Sequence, residues 1–194
     1  MRAYDPLSVD ELGRNAVRAL MEYPADALPP KTSFVGVGVY TLHYVGTFPA
    51  YIGLGEDAPI YVGKADPPGR RQGRASATSG TTALDRRLSH HSESIKSASN
   101  LDLDEFRCRW LVLDPVWIGL TEQVLIAEYQ PIWNVAIDGF GNNDPGRGRW
   151  NQRRSQWDTL HPGRTWAFNL QDRDETAAQV MDVVRTFRSR NGAE

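Results

Sequence analysis

Cysteine is nearly absent from this chain of 194 residues, which has only Cys108. A single cysteine can form neither an internal disulfide nor a zinc site with a second cysteine, so we expect Cys108 to be buried in a strand. No apolar run approaches the roughly twenty residues that span a bilayer, and the first five residues lack the apolar core of a signal peptide. We therefore predict a soluble, cytoplasmic protein that does not bind membranes.

An excess of positive charge, which is typical of proteins that bind nucleic acid, is also lacking, because the formal net charge is −2. The charges are segregated along the chain, however. Between Tyr61 and Lys96 seven basic residues stand against three acidic ones, and between Phe140 and Trp166 five stand against two. This distribution indicates a protein that meets phosphates on one side and water on the other.

Residue spacing and turn residues predict an α+β fold in which a small three-stranded antiparallel sheet is flanked by helices. The expected strands are 34–44, 59–64 and 105–113, and the expected helices after the first are 82–95, 121–129 and 172–190. Residues 45–58 then form an insertion in the first hairpin. Ser8 and Glu11 have the spacing of a capping box, which predicts an N-terminal helix that ends before Pro24.

Four short motifs follow one another along the middle of the chain. They are Gly38-Val39-Tyr40, Ile60-Tyr61-Val62-Gly63-Lys64-Ala65, Leu84-x-x-Arg87-Leu88-x-x-His91, and a segment from Glu122 to Pro131-x-Trp133-Asn134. In the third motif, Leu84 and Leu88 lie on the core side of a helix. This register favours Arg87 and His91 over the neighbouring pair of Arg86 and His90.

Tyr, Tyr, Arg, His, Glu and Asn in this order resemble the GIY-YIG nuclease superfamily, over roughly residues 36–134. The resemblance implies one nuclease domain over 1–194, with an N-terminal helical extension at 1–33, a catalytic core at 34–134 and an appendage for DNA recognition and dimerisation at 135–194. The spacing from Tyr40 also allows Tyr51 as the second tyrosine. We prefer Tyr61, because Lys64-Ala65 follows it as in the superfamily's second motif.

The resemblance also implies a role for each motif residue. Glu122, expected at the start of its helix, would bind a single Mg²⁺, for which Mn²⁺ could substitute. Arg87 would bind the scissile phosphate through its forked donors. Tyr40 would act as general base on the attacking water, and its phenol needs help from nearby positive charge to ionise.

Four further residues complete the implied catalytic set. Tyr61 would hold water or phosphate by hydrogen bonding, and His91 would relay the Tyr40 proton or orient the phosphate. Asn134 would fix the site by hydrogen bonding without touching DNA. Lys64 is a second-tier candidate that adds positive charge.

The loops resemble those of the superfamily's type II restriction endonucleases, in particular the small enzymes that cut GC-rich palindromes such as CCGCGG. Such an enzyme acts in the bacterial cytoplasm as a homodimer on double-stranded DNA, because one active site cuts one strand. The expected DNA-contacting residues lie in Gly-rich and Pro-rich segments: Arg70, Arg71, Gln72, Arg74, Arg147, Arg149, Arg153, Arg154 and Arg164. The alternatives are a repair or homing nuclease, an RNA-processing nuclease, and a catalytically silent DNA-binding protein with this fold.

Overall fold

The computed structural model describes residues 9–67 and 80–191 of the chain. Its helices and strands follow the sequence in this order: α1 (Val9–Glu22), β1 (Asp26–Ala27), β2 (Gly38–Tyr44), β3 (Gly55–Ala65), α2 (Ala83–Ser97), β4 (Phe106–Val112), α3 (Pro115–Tyr129), α4 (Ile132–Val135), α5 (Gln156–Leu160) and α6 (Ala177–Asn191). None of the described helices is long and apolar enough to cross a membrane. Short 3₁₀ turns occur at Leu103–Glu105, Arg147–Arg149 and Thr165–Asn169.

The sheet is antiparallel throughout and has the strand order β1-β4-β2-β3. The α+β class is as predicted, but the prediction of three strands was wrong. The additional strand, β1, pairs Asp26 with Cys108 and Ala27 with Arg107. Two residues are too few to show an alternating pattern, so the sequence carried no signal for β1. Cys108 is buried, as expected.

The β2–β3 hairpin places two of the motif tyrosines on one face of the sheet. Tyr40 pairs with Gly63, and Leu42 pairs with Tyr61. Tyr40 and Tyr61 are therefore diagonal neighbours, and their ring centroids are 6.3 Å apart. β3 begins at Gly55, so the connection is shorter than the predicted insertion, and the register shifts near His43.

Helices cover both faces of the sheet, and all seven residues of the central strand β2 are buried. On one face, Val17 and Leu20 of α1 and Leu125 of α3 share an apolar cluster with the strands. On the other face, α2 packs over Tyr40 and Tyr61, and the segments after residue 135 extend the same cluster. The C-terminal segments therefore share the core that holds the motif residues.

Two helices differ from the prediction in where they begin. α3 begins at Pro115, because the side chain of Asp114 accepts a hydrogen bond from the backbone N–H of Val116 and caps the helix. Glu122 therefore lies in the middle of α3, and its predicted position at the helix start was wrong. α6 begins at Ala177 rather than residue 172 and buries Val180 and Val184 as expected. α2 lies close to its predicted range.

Candidate active site

The most deeply buried polar contact among the motif residues joins Tyr40 and His91. The Tyr40 hydroxyl oxygen and Nε2 of His91 are 2.6 Å apart. Burial is the main cause that holds the pKa of His91 well below its usual range, and the charge of Arg87 lowers it further. The imidazole is therefore neutral at neutral pH, and Nε2 can accept the proton of the phenol.

Burial also raises the pKa of Tyr40 well above its usual value, and Tyr61 raises it further. Arg87 opposes this increase through its charge and a hydrogen bond to the phenol, but burial outweighs it. Arg87 also hydrogen-bonds with Tyr61, whose pKa is raised mainly by burial. One guanidinium thus lowers the pKa of both motif tyrosines against the effect of burial. The register of α2 is the one expected, because Arg86 and His90 are exposed whereas His91 is buried.

Three of the motif residues, Tyr61, Arg87 and Glu122, line a cavity of about 550 Å³ that is open to solvent, here called the site cavity. Its lining residues come from β3, α2, α3 and the loop after α4: Tyr61, Gly63, Lys64, Ala65, Asp66, Ala83, Arg87, Glu122, Gly141 and Asn143. Inside it, the ammonium of Lys64 lies 2.6 Å from a carboxylate oxygen of Glu122. The site cavity thus combines two cations, a phenol and carboxylates, which are the groups needed to bind and polarise a phosphate.

The carboxylates of the site cavity suit a hard cation such as Mg²⁺. This ion takes one or two protein carboxylates and otherwise keeps water and phosphate oxygens. Glu122 supplies one carboxylate, and Asp66 lines the same cavity. Among the described residues, no group of three or more His, Cys, Asp or Glu side chains could form a metal cage. The donor set therefore fits Mg²⁺ and does not fit a structural zinc site.

Asn134 is placed to position strand β3 rather than to contact a substrate. Its side-chain oxygen accepts a hydrogen bond from the backbone N–H of Val62 at 2.8 Å. Its side-chain nitrogen donates to the carbonyl of the same residue at 2.9 Å. Val62 lies between Tyr61 and Gly63, so the amide of Asn134 holds the backbone that carries the second motif.

Tyr51, the alternative second tyrosine, lies in the core and does not line the site cavity. Its hydroxyl contacts Nε2 of His161 at 2.7 Å and accepts a hydrogen bond from the indole N–H of Trp133 at 3.0 Å. The geometry therefore supports the choice of Tyr61.

The described basic residues of the C-terminal segment have different environments. Arg147 and Arg149 are exposed, and neither has an ion-pair partner within 9–67 and 80–191. Arg153 pairs with Asp174, and Arg154 pairs with Asp172 while its guanidinium lies over the ring of Phe168. Arg70, Arg71, Gln72 and Arg74 lie outside the described residues.

Arg164 differs from the prediction, because it is buried and cannot face DNA. Its guanidinium forms two hydrogen bonds with the carboxylate of Asp158, at 2.6 and 2.7 Å. It also lies between Trp157 and Trp166, 4.5 and 4.7 Å from the ring centroids. The prediction was wrong because the sequence does not show that two indoles exclude solvent from this side chain.

Asp66, Gly141 and Asn143 line the site cavity but were not predicted as site residues from the sequence. Asp66 lies two residues after Lys64, so its distance from the second motif could have suggested it. Gly141 and Asn143 lie in an irregular segment far along the chain from the motifs, where only the three-dimensional structure shows the proximity.

The family model of the Eco29kI GIY-YIG domain matches residues 32–188 of the chain. The match covers all six of the motif residues and most of the segment that follows them. No curated protein shows a significant similarity to the chain.

Proposed function

Because the chain belongs to the Eco29kI GIY-YIG family, a family of type II restriction endonucleases, we propose that it cuts both strands of DNA at a specific site in a Mg²⁺-dependent reaction. The observation that carries the proposal is the site cavity, in which Tyr61, Arg87 and Glu122 meet although they are far apart in the sequence.

The cations of the site cavity would bind the scissile phosphate. Arg87 presents a planar fork that suits phosphate oxygens, and its charge acts on both phenols. Lys64 adds a second positive charge within the same cavity. These groups are in place before DNA arrives, so little reorganisation is needed when negative charge develops on the phosphate.

Tyr40 and His91 would remove the proton from the attacking water. The water gives a proton to the Tyr40 oxygen while the phenol proton moves to Nε2 of His91, 2.6 Å away. The raised pKa of Tyr40 fits this transfer, because the phenol never has to exist as a free anion. Gly63 lines the cavity beside the Tyr40 hydroxyl, and a Cβ at this position would clash with that oxygen, so the lack of a side chain leaves room for the phenol.

Glu122 would hold the Mg²⁺, with Asp66 as the second carboxylate that lines the same cavity. When bound, the ion supplies positive charge that stabilises the phosphate and the departing oxygen. The products of this reaction carry a 5′-phosphate and a 3′-hydroxyl. Lys64 pairs with Glu122, so the carboxylate is not an unpaired negative charge.

The proposed target is a palindromic site rich in G and C, cut by a homodimer. Each chain has one set of motif residues, so cleavage of both strands at a two-fold site needs two chains. Arg147 and Arg149 are exposed in the segment after α4, and arginine binds guanine bidentately in the major groove.

Digestion of plasmid and phage DNA of known sequence tests this function. We expect Mg²⁺-dependent fragments whose mapped ends share one palindrome, and no fragments from the Glu122→Gln variant. Cleavage without a shared sequence supports a repair or homing nuclease instead. DNA binding without any cleavage supports a silent DNA-binding protein, and preferential cleavage of single-stranded RNA supports an RNA-processing nuclease.

A further inference from the structure

Residues 139–143, here called the 139–143 loop, pack directly on the motif residues although they belong to none of the motifs. The ring of Phe140 stacks on the imidazole of His91, with centroids 4.7 Å apart and planes 21° apart. Phe140 also contacts the ring of Tyr61 edge-on at 4.8 Å. The loop thus covers the two residues that, with Arg87, surround the proposed general base.

Gly141 follows Phe140 and approaches the hydroxyl of Tyr61. A Cβ atom at position 141 would lie 2.8 Å from that hydroxyl oxygen and 3.9 Å from a guanidinium nitrogen of Arg87. The first distance is shorter than real Cβ contacts, so a side chain at position 141 would displace the phenol. The φ angle of Gly141 is outside the left-handed region, so its need for glycine comes from this contact and not from backbone conformation.

Arg164 holds the loop on both sides of Gly141. Its guanidinium donates to the carbonyls of Gly139, Phe140 and Asn142, at 2.9, 3.0 and 3.2 Å. The remaining donors bind Asp158, so all five N–H groups of the guanidinium have partners. Only 4% of Arg164 and 1% of Asp158 is exposed, so water does not compete for these hydrogen bonds.

We propose that Gly141 is a positioning residue for Tyr61, held in place by the buried Arg164–Asp158 pair. In this arrangement the bare Cα of Gly141 sets the space in which the Tyr61 hydroxyl meets Arg87. The inference rests on the proposed nuclease function, and it adds a determinant of catalysis outside the six motif residues. Gly141 approaches the Tyr61 hydroxyl and acts through that phenol.

The test compares Gly141→Ala with Gly119→Ala, a control in α3 where a Cβ meets nothing within 4 Å. We expect the single-turnover cleavage rate constant of Gly141→Ala to fall about 10²-fold, because small displacements of catalytic groups cost this much. The DNA dissociation constant should stay within about twofold and the melting temperature close to that of the wild type, since the backbone can keep its conformation. Gly119→Ala should cleave like the wild type.

A double-mutant cycle shows whether the effect passes through the phenol. In a Tyr61→Phe background, Gly141→Ala should cost little more, because the hydroxyl that it displaces is already absent. Additive losses from the two substitutions would overturn the proposal, as would a cleavage rate of Gly141→Ala within about twofold of the wild type.

The spectrum of fluorine-labelled tyrosine separates this inference from the nuclease function. The Tyr61 resonance is identified as the one missing from Tyr61→Phe, and it should shift in Gly141→Ala and in Arg164→Lys but not in Gly119→Ala. An unshifted resonance in Gly141→Ala overturns the inference even if the protein cleaves DNA. A shifted resonance in a protein that cleaves no nucleic acid keeps the packing role and overturns the proposed function alone.

Discussion

The hydroxyl oxygen of Tyr40 and Nε2 of His91 are 2.6 Å apart, and both side chains are buried. A phenol that contacts a neutral imidazole can lose its proton only as another proton arrives, because burial opposes charge on either group. Burial therefore disfavours a free phenolate at Tyr40.

Tyr40→Phe should reduce cleavage about 10²- to 10⁴-fold while DNA binding is retained, because only the proton-transferring hydroxyl is lost. Tyr44→Phe is the matched control, since Tyr44 is a buried phenol of the same strand whose hydroxyl donates to Glu105. Single-turnover assays and DNA-binding titrations measure both variants. If Tyr40→Phe and Tyr44→Phe lose cleavage activity equally, the role of Tyr40 is structural.

Tyr61→Phe and Tyr51→Phe should have opposite effects. The first removes a hydroxyl beside Arg87 and should reduce cleavage with little change in stability. The second leaves the indole N–H of Trp133 without its acceptor, which should cost about 1–3 kcal/mol of unfolding free energy. Urea unfolding and plasmid cleavage distinguish the two. If Tyr51→Phe is the inactive variant, the choice of the second motif is wrong.

Glu122→Gln should bind DNA but not cut it, because the amide keeps the shape of the carboxylate and loses the charge that a divalent ion needs. The substitution also leaves Lys64 without its ion-pair partner, so DNA binding should strengthen slightly as the cavity becomes more positive. Gel-shift titrations and Mg²⁺-dependent nicking measure the two effects. Cleavage near the wild-type rate would remove Glu122 from the mechanism.

The unfolding free energy should fall as the pH drops below about 6.5, and His161 should contribute to this fall. Burial lowers the pKa of His161 to about 3, so the unfolded chain binds this proton at pH 5 and the folded chain does not. The contribution of His161 to the unfolding free energy is fully present above the pKa that this histidine has in the unfolded chain. Below that pKa the contribution falls by about 1.4 kcal/mol per pH unit. Between pH 7 and 5, the unfolding free energy of His161→Gln should therefore fall by about 2 kcal/mol less than that of the wild type, as measured by urea unfolding. If the wild type and His161→Gln lose the same unfolding free energy between pH 7 and 5, the prediction for His161 is wrong.

Arg149→Ala should weaken DNA binding more than Arg153→Ala. Arg149 and Arg153 are both exposed and line a second cavity of about 300 Å³, which adjoins the site cavity because Asn143 lines both. Arg153 is already partly neutralised by Asp174. Loss of a base contact should cost about 1–3 kcal/mol and relax preference at one position, whereas loss of a phosphate contact should reduce the salt slope by about one. Binding titrations at several salt concentrations measure both.

The helix with Arg87 and His91 was predictable because Leu84 and Leu88 repeat at helical spacing and bury one face. The order of the six motif residues also indicated which side chains meet, although they come from five elements. The start of α3 was missed although Asp114-Pro115 is a recognisable helix start. β1 was missed because a two-residue strand has no periodicity.

The role of Arg164 could not be predicted, because a guanidinium in an arginine-rich segment looks the same whether it faces phosphate or a buried carboxylate. Its environment depends on Trp157 and Trp166, whose packing is a tertiary property. The same holds for Gly141, which approaches Tyr61 from a loop 80 residues further along the chain. Spacing rules describe local neighbours, and this contact is not local.

The double hydrogen bond from Asn134 to Val62 also affects how the molecule meets other copies of itself. β3 is an outer strand of the sheet, and outer strands offer unpaired backbone groups to strands of other molecules. At Val62 both the N–H and the C=O are already occupied by one side-chain amide. Asn134 therefore occupies the two backbone groups of Val62 that an added strand would need, which disfavours strand addition at this point of the edge.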